Sequence, residues 1–364
     1  MLPIARNIIH MLMEKDLLTQ SEVVDGSSIF SIARQRNRFC YFKRPTGTSF
    51  FIKTGHETEP GAHRAMALEA KFYDHFSSDH SFEELRPFLT RQFDFDANTG
   101  TLISEFIDGG EDLSVVTAHS PSDLSAHLGQ MAKCLVILHA SKTDKIDPKT
   151  FGFETLPPWI FRLSDEPSPL SQLRARSKAG AATIDKIIRN ENCIKLLDQL
   201  GTDWKFDCLI HGDVKPQNFL IHGRNGSKNE YKLIDWERAT MGDPDWDVAC
   251  GAMIPIILRV FEKNNRNEDM TVENILTPAV SSQISGFLSD YRVAAQTRGL
   301  SAVNAQRCSS LIMARLLAAA YEVSFATDQV NPITEILLEI ANHLLESATP
   351  KLFLRSVQNN SKAA

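Results

Sequence analysis

A paired C-x-x-C motif, a long unbroken apolar run and an excess of positive charge are all missing from this 364-residue chain. Each absence excludes a class of function. The six cysteines are scattered, so zinc and dithiol redox sites are excluded and six reduced, buried thiols are expected. Lys and Arg number 39 against 45 Asp and Glu, a net charge of −6 that leaves no electrostatic footprint for nucleic acid. The opening stretch MLPIARNIIHMLMEKDLLTQ is broken by Glu14, Lys15 and Asp16, which makes it an amphipathic helix and not a secretory leader. A second apolar stretch, 311–325, carries Arg315 and Glu322 and so does not suit a bilayer. The expectation is a cytoplasmic protein with no membrane and no nucleic-acid partner. No internal repeat occurs, and only the tail after about Ser356 reads as disordered.

What is present is ample material for burial, 43% hydrophobic residues, in a length suited to two core-bearing domains. From about Val23 to Ile107 the pattern is mainly extended. Runs at Ile29–Ile32, Arg38–Phe42 and Phe50–Lys53 precede a helix from about Gly61 to Phe76 with Ala65, Leu68, Phe72 and Phe76 on one face. Strands over Arg91–Phe95 and Thr101–Ile107 follow. Beyond Asp108 the chain turns helical, with a core stripe of Leu128, Met131, Leu135 and Leu138. Two short strands, Phe219–His222 and Tyr231–Ile234, flank a polar turn at Asn225-Gly226. Asn331-Pro332 signals a helix start ahead of Ile333, Ile336, Ile340 and Leu344. The implied division is a sheet-bearing domain over 1–107 and a helical domain over 108–364.

One segment carries the chemistry: Leu209-Ile210-His211-Gly212-Asp213-Val214-Lys215-Pro216-Gln217-Asn218-Phe219-Leu220-Ile221. Phosphoryl transfer needs a base for the acceptor hydroxyl, a cation near the moving phosphoryl group, and oxygen ligands for magnesium. Asp213, Lys215 and Asn218 offer these three in one loop. A short hairpin later, Asp235 ends the apolar strand of Tyr231-Lys232-Leu233-Ile234-Asp235-Trp236-Glu237 and supplies a second hard oxygen ligand. Glu237 is either a further carboxylate beside the metal or a solvated strand-end charge. The acidic run Gly242-Asp243-Pro244-Asp245-Trp246-Asp247 lacks EF-hand spacing, and Asp247 is expected as a helix cap or a brace for the loop.

These motifs resemble the aminoglycoside phosphotransferase and choline kinase group of the protein-kinase-like superfamily, over about Val23–Met253 and most strongly over 209–249. The resemblance implies an α+β, two-lobed protein-kinase-like fold and an ATP- and magnesium-dependent kinase. It makes Asp213 the catalytic base, supported by Lys215, and makes Asn218 and Asp235 the metal ligands. It also implies that Lys53, closing Phe-Phe-Ile-Lys, binds phosphate with Glu69 as its partner, and that the backbone of Glu105, Phe106 and Ile107 meets adenine. The glycine-rich loop of protein kinases is absent, so Arg34, Arg36 or Asn37 in the turn 31–37 is expected to take over some phosphate contacts. Asp108, Glu111 and Asp112 favour a cationic acceptor such as an amino sugar or amino alcohol. Two alternatives stay open: a Ser/Thr peptide as acceptor, as in lanthipeptide-type pathways, and a non-catalytic kinase-like binding module.

Overall fold

The computed structural model describes residues 3–24, 28–33, 37–44, 46–55, 61–143, 146, 148–153, 156–223, 229–301, 304–325 and 327–346. The turn at Arg34–Arg36, the side chain of Asn37, the Asn225-Gly226 turn and the C-terminal tail lie outside the described residues.

The chain begins with α1 (Pro3–Glu14), α2 (Gln20–Val24), β1 (Ser28–Ala33), β2 (Asn37–Lys43), β3 (Ser49–Gly55), α3 (Ala62–Ser78), β4 (Gln92–Asp96) and β5 (Thr101–Phe106). It continues with β6 (Glu111–Asp112), α4 (Leu113–His119), α5 (Leu124–Ala140), α6 (Pro148–Phe151), α7 (Leu170–Ala175), α8 (Lys178–Ile188) and α9 (Glu191–Thr202). Then come β7 (Cys208–Ile210), β8 (Phe219–His222), β9 (Glu230–Leu233), β10 (Thr240–Gly242), α10 (Pro244–Asn265), α11 (Val272–Ile275), α12 (Pro278–Thr297), α13 (Ala305–Ser324) and α14 (Pro332–Glu346). Two compact units result, Met1–Glu111 with Leu220–Arg238, and Asp112–Phe219 with Ala239–Ala364.

The first unit is built on an antiparallel sheet of order β1-β2-β3-β5-β4. Alternation puts Cys40, Phe42, Phe50, Ile52 and Ile103 on one buried face, where Leu12 of α1 and the following Leu18 pack against them. The N-terminal amphipathic helix is therefore part of this unit's core. Helix α3 packs on β3 and on the turn after β9. Its buried stripe is Met66, Glu69, Phe72, Tyr73 and Phe76, while Ala65 and Leu68 are half-buried. The expected face is thus rotated slightly, and the rotation brings Glu69, a charged residue, into the interior.

The second unit is helical. The expected stripe of α5 is fully buried at Leu128, Met131, Leu135 and Leu138. Helix α5 packs on α12, α10 on α12 and α13, and α13 on α14. Helix α14 starts as its sequence signals, with Asn331 Oδ1 accepting from Thr334 N at 2.9 Å. Among the described residues strand β7 pairs only with β10, and it delivers the chain into the loop 211–218. All six cysteines are buried free thiols. No described helix is long and apolar enough to cross a membrane.

Candidate active site

In the first unit, Lys53 lies inside β3 and does not close it, and only 8% of it is exposed. Its Nζ sits 2.9 Å from Glu69 Oε2 and 2.9 Å from Glu237 Oε2, and it also donates to Asp235 Oδ1. Glu69 reaches it because α3 buries that face, and its other oxygen accepts from the backbone N of Trp236 at 3.2 Å. Trp236 is wholly buried, with its ring 4.9 Å edge-on to Phe76 and its indole N–H donating to Leu233 O. An indole locked in this way fixes the turn that presents Asp235 and Glu237 on either side of it. Asp235 itself has φ 70°, a left-handed conformation that a non-glycine residue adopts at a cost.

One ammonium thus faces three carboxylates. Burial alone would push the Lys53 ammonium down, but the charges of Asp235, Glu69 and Glu237 reverse this and hold it well above its ordinary range. Burial pushes the Glu69 carboxyl up to about 7, and the two neighbouring carboxylates add to this against the pull of Lys53. Oxygen atoms of Glu69, Asp235 and Glu237 lie within 4.8 Å of one another. Hard oxygen donors carrying more negative charge than one lysine neutralises suit a divalent cation such as magnesium. Glu237 is accordingly an interior charge, with a side chain only 8% exposed, and not the solvated strand-end residue allowed as an alternative.

The segment expected to meet adenine is partly committed elsewhere. Glu105 N donates to Arg91 O at 2.7 Å, and Ile107 O accepts from Gly110 N at 3.0 Å. Neither group is available to a base, which narrows the expectation to the other backbone groups of Glu105, Phe106 and Ile107. The acidic cluster also divides. Asp108 pairs with Lys43 at 2.8 Å, and Asp112 caps α4 by accepting from Ser114 N and Val115 N, so two of the three acidic residues also have structural partners.

In the second unit the loop after β7 is held from behind. Both oxygens of the fully buried Asp247 accept backbone hydrogens, Oδ2 from His211 N at 2.7 Å and Oδ1 from Gly212 N at 2.9 Å. Gly212 has φ 76°, which a residue without Cβ adopts freely. Asp247 is therefore the brace, and the cap of α10 is Asp243, whose side chain accepts from Asp245 N. Asp213, 6% exposed, follows directly. Its Oδ2 accepts from Lys215 Nζ at 2.5 Å and from Asn218 Nδ2 at 3.3 Å, and Asn218 Nδ2 also donates to Asp213 O at 2.9 Å. With the amide nitrogen turned toward Asp213, Asn218 keeps its Oδ1, the atom a cation takes, on the other branch.

Sequence reasoning gave no site role to three residues that belong with these groups. His139 and Tyr291 continue the Asp247 network. Glu237, allowed from the sequence as a carboxylate beside the metal, joins the Lys53 group, and the third residue is on α13. Arg315, 5% exposed on α13, donates Nη2 to Glu322 at 2.9 Å, and its Nη1 has no hydrogen-bond partner among the described residues. Burial works against its charge, and Glu322, Cys250 and Asp213 favour it strongly enough to raise its affinity for the proton. The signal for Arg315 was its intrusion into an apolar helix.

The model of the phosphotransferase enzyme family (APH) matches residues 33–264. Among curated proteins none matches the sequence. By structure the chain is similar to choline kinase LicA from Streptococcus pneumoniae, at 16% identity and TM-score 0.55, covering 92% of this chain and 99% of that one. It is also similar to an ethanolamine kinase from Plasmodium vivax (14% identity, TM-score 0.58, covering 91% and 85%). A third similarity is to wild-type aminoglycoside 2'-phosphotransferase-IIIa in its GDP complex (14%, TM-score 0.50, covering 96% and 100%). These likenesses fix the architecture as the α+β protein-kinase-like fold, with a small antiparallel sheet and one main helix in one unit and mainly helices in the larger one. With 33–264 matched out of 364 residues, the chain belongs to the phosphotransferase enzyme family.

Proposed function

We propose that this chain transfers the γ-phosphate of ATP, with magnesium, to a hydroxyl of a small molecule, with Asp213 as the base. The observation that carries this reading is the state of Asp213. It is a buried carboxylate on a loop braced through two backbone hydrogens, flanked by one ammonium and one amide. A base for phosphoryl transfer needs a fixed direction toward the acceptor hydroxyl, and little covalent chemistry besides. In the step, the hydroxyl proton passes to Asp213, the oxygen bonds to the γ-phosphorus, and the bond from that phosphorus to the bridging oxygen breaks to release ADP. Lys215 offsets charge on the moving phosphoryl group.

Lys53, fixed by Glu69, holds nucleotide phosphates. Asp235 offers magnesium a hard oxygen, with Glu69 and Glu237 beside it adding negative charge, and Asn218 offers a further oxygen of the same kind. Bound magnesium supplies charge neutralisation on the phosphates. The other backbone groups of Glu105–Ile107 receive the adenine. Nucleotide use is supported by similar structures solved with AMP and GDP. An amino alcohol or amino sugar acceptor is favoured by structural neighbours that act on choline, ethanolamine and aminoglycosides. The net charge of −6 agrees with a cationic acceptor.

The test incubates the full chain with ATP, magnesium and a panel of choline, ethanolamine, an aminoglycoside and a Ser/Thr peptide, and follows products by phosphorus NMR. Wild type is expected to phosphorylate a small molecule and Asp213→Asn none. Transfer to the peptide alone would replace the acceptor class. Transfer by both proteins would remove Asp213 as the base. Absence of any magnesium-dependent ATP binding would favour a non-catalytic module.

A further inference from the structure

A polar chain of three side chains runs through the apolar interior of the second unit and ends on the loop that carries Asp213. Tyr291 of α12 places its OH 2.7 Å from His139 Nδ1, and His139 Nε2, on the last turn of α5, lies 3.3 Å from Asp247 Oδ2. Tyr291 is 2% exposed, His139 3% and Asp247 not at all. On the same two helices Leu135, Leu138, Ile284 and Phe287 are buried as well. Three polar groups buried in this way are retained only if each finds a partner.

The direction of the hydrogens follows from Asp247. A carboxylate has no hydrogen to give, and both Asp247 oxygens accept, from His211 N and from Gly212 N, so the imidazole nitrogen facing it donates. His139 therefore carries its hydrogen on Nε2. In the neutral ring Nδ1 is then bare and accepts from the Tyr291 hydroxyl, whose ring packs edge-on to the imidazole at 5.8 Å. This order sets which way the ring faces and so where Asp247 Oδ2 sits. That oxygen in turn fixes His211 N, two residues before Asp213.

The geometry points to His139 and Tyr291 as positioning residues for the catalytic base, acting through Asp247 on the backbone of His211 and Gly212. This rests on the reading of Asp213 given above. Helices α5 and α12 thereby do more than fill the core, because they set the alignment of the loop. A displacement of the base on the scale of an ångström costs on the order of 100-fold in rate.

Two substitutions of His139 separate positioning from packing. In His139→Gln the amide nitrogen reaches about where Nε2 lies and keeps the donor to Asp247. In His139→Asn the amide reaches about where Nδ1 lies, keeping a partner for Tyr291 but losing Asp247. Both remove the ring. The full chain labelled with nitrogen-15 at histidine and glycine is followed by NMR, and kcat and KM for ATP are measured with whichever of choline, ethanolamine or an aminoglycoside is turned over.

The expected results are an Nε2–H tautomer for His139 and a shifted Gly212 amide in His139→Asn but not in His139→Gln. kcat should fall roughly 10- to 100-fold in the Asn variant alone, with KM for ATP within about twofold. Tyr291→Phe should free the ring and lower kcat by a smaller factor without changing KM for ATP. A hydrogen on His139 Nδ1, an unmoved Gly212 amide in His139→Asn, or equal kcat in the Gln and Asn variants would overturn the proposal. If transfer survives in Asp213→Asn, the reading of the base fails, while the tautomer and the Gly212 amide still decide whether the network holds the loop.

Discussion

Glu69→Gln puts the electrostatics of the Lys53 group to a quantitative test. In the native protein burial and the neighbouring Asp235 and Glu237 raise the Glu69 carboxyl from an ordinary 4.5 to about 7. A carboxyl whose affinity for protons is higher folded than unfolded makes the native state bind more protons than the unfolded one between those two values. Stability from this group is therefore complete below pH 4.5 and is lost as pH rises through about 7. The span corresponds to roughly 3 kcal/mol. Gln keeps an oxygen that can accept from Trp236 N, as Glu69 Oε1 does at 3.2 Å, but it does not titrate and loses the attraction to Lys53. The measurement is unfolding free energy of both proteins from pH 4.5 to 8.5. The Gln variant should gain about 3 kcal/mol relative to wild type across that range, on top of a pH-independent loss. A flat difference, or one that favours wild type as pH rises, would refute the placing of three carboxylates around one ammonium.

Other outcomes follow from the same geometry. Asp235→Gly relieves the left-handed φ of 70° and removes one of the three crowded carboxylates, so it should raise the melting temperature by the equivalent of about 1 kcal/mol. The same variant should lose magnesium-dependent ATP binding by calorimetry. Asp247→Ala leaves the N–H groups of His211 and Gly212 without their acceptor, at roughly 1–3 kcal/mol each by denaturant titration, and should depress kcat well beyond what the lost stability accounts for. Phe76→Ala removes the ring that packs on Phe82 and Trp236, and should cost about 3–5 kcal/mol by the same titration while loosening the turn that presents Asp235.

The parts of the fold legible in the sequence were those written in short-range patterns. The five strands and α3 followed from alternation and helical spacing, and the start of α14 from Asn331-Pro332. Asp213, Lys215, Asn218 and Asp235 were legible as candidates because phosphoryl transfer demands those residue types at short spacing. Long-range consequences were not legible. Glu69 could be chosen as a partner for Lys53, but its rotation into the interior depends on which face α3 presents to β3. Asp247 was narrowed to cap or brace, and the choice fell out only when Asp243 proved to cap α10. His139 and Tyr291 stand 152 residues apart, and nothing near either one indicates the other. The left-handed turn at Asp235 was equally hidden, because nothing in Ile-Asp-Trp-Glu fixes the sign of φ.

The division of labour between Asp213 and the Lys53 group is the central claim, and one comparison addresses it most directly. Asp213→Asn keeps the shape of the loop and its contact with Asn218 while removing the carboxylate proposed as the base. Calorimetry of magnesium-dependent ATP binding alongside γ-phosphate transfer should show binding within about threefold of wild type and transfer reduced by 100-fold or more. Transfer at the wild-type rate in Asp213→Asn, or loss of nucleotide binding together with transfer, would contradict it.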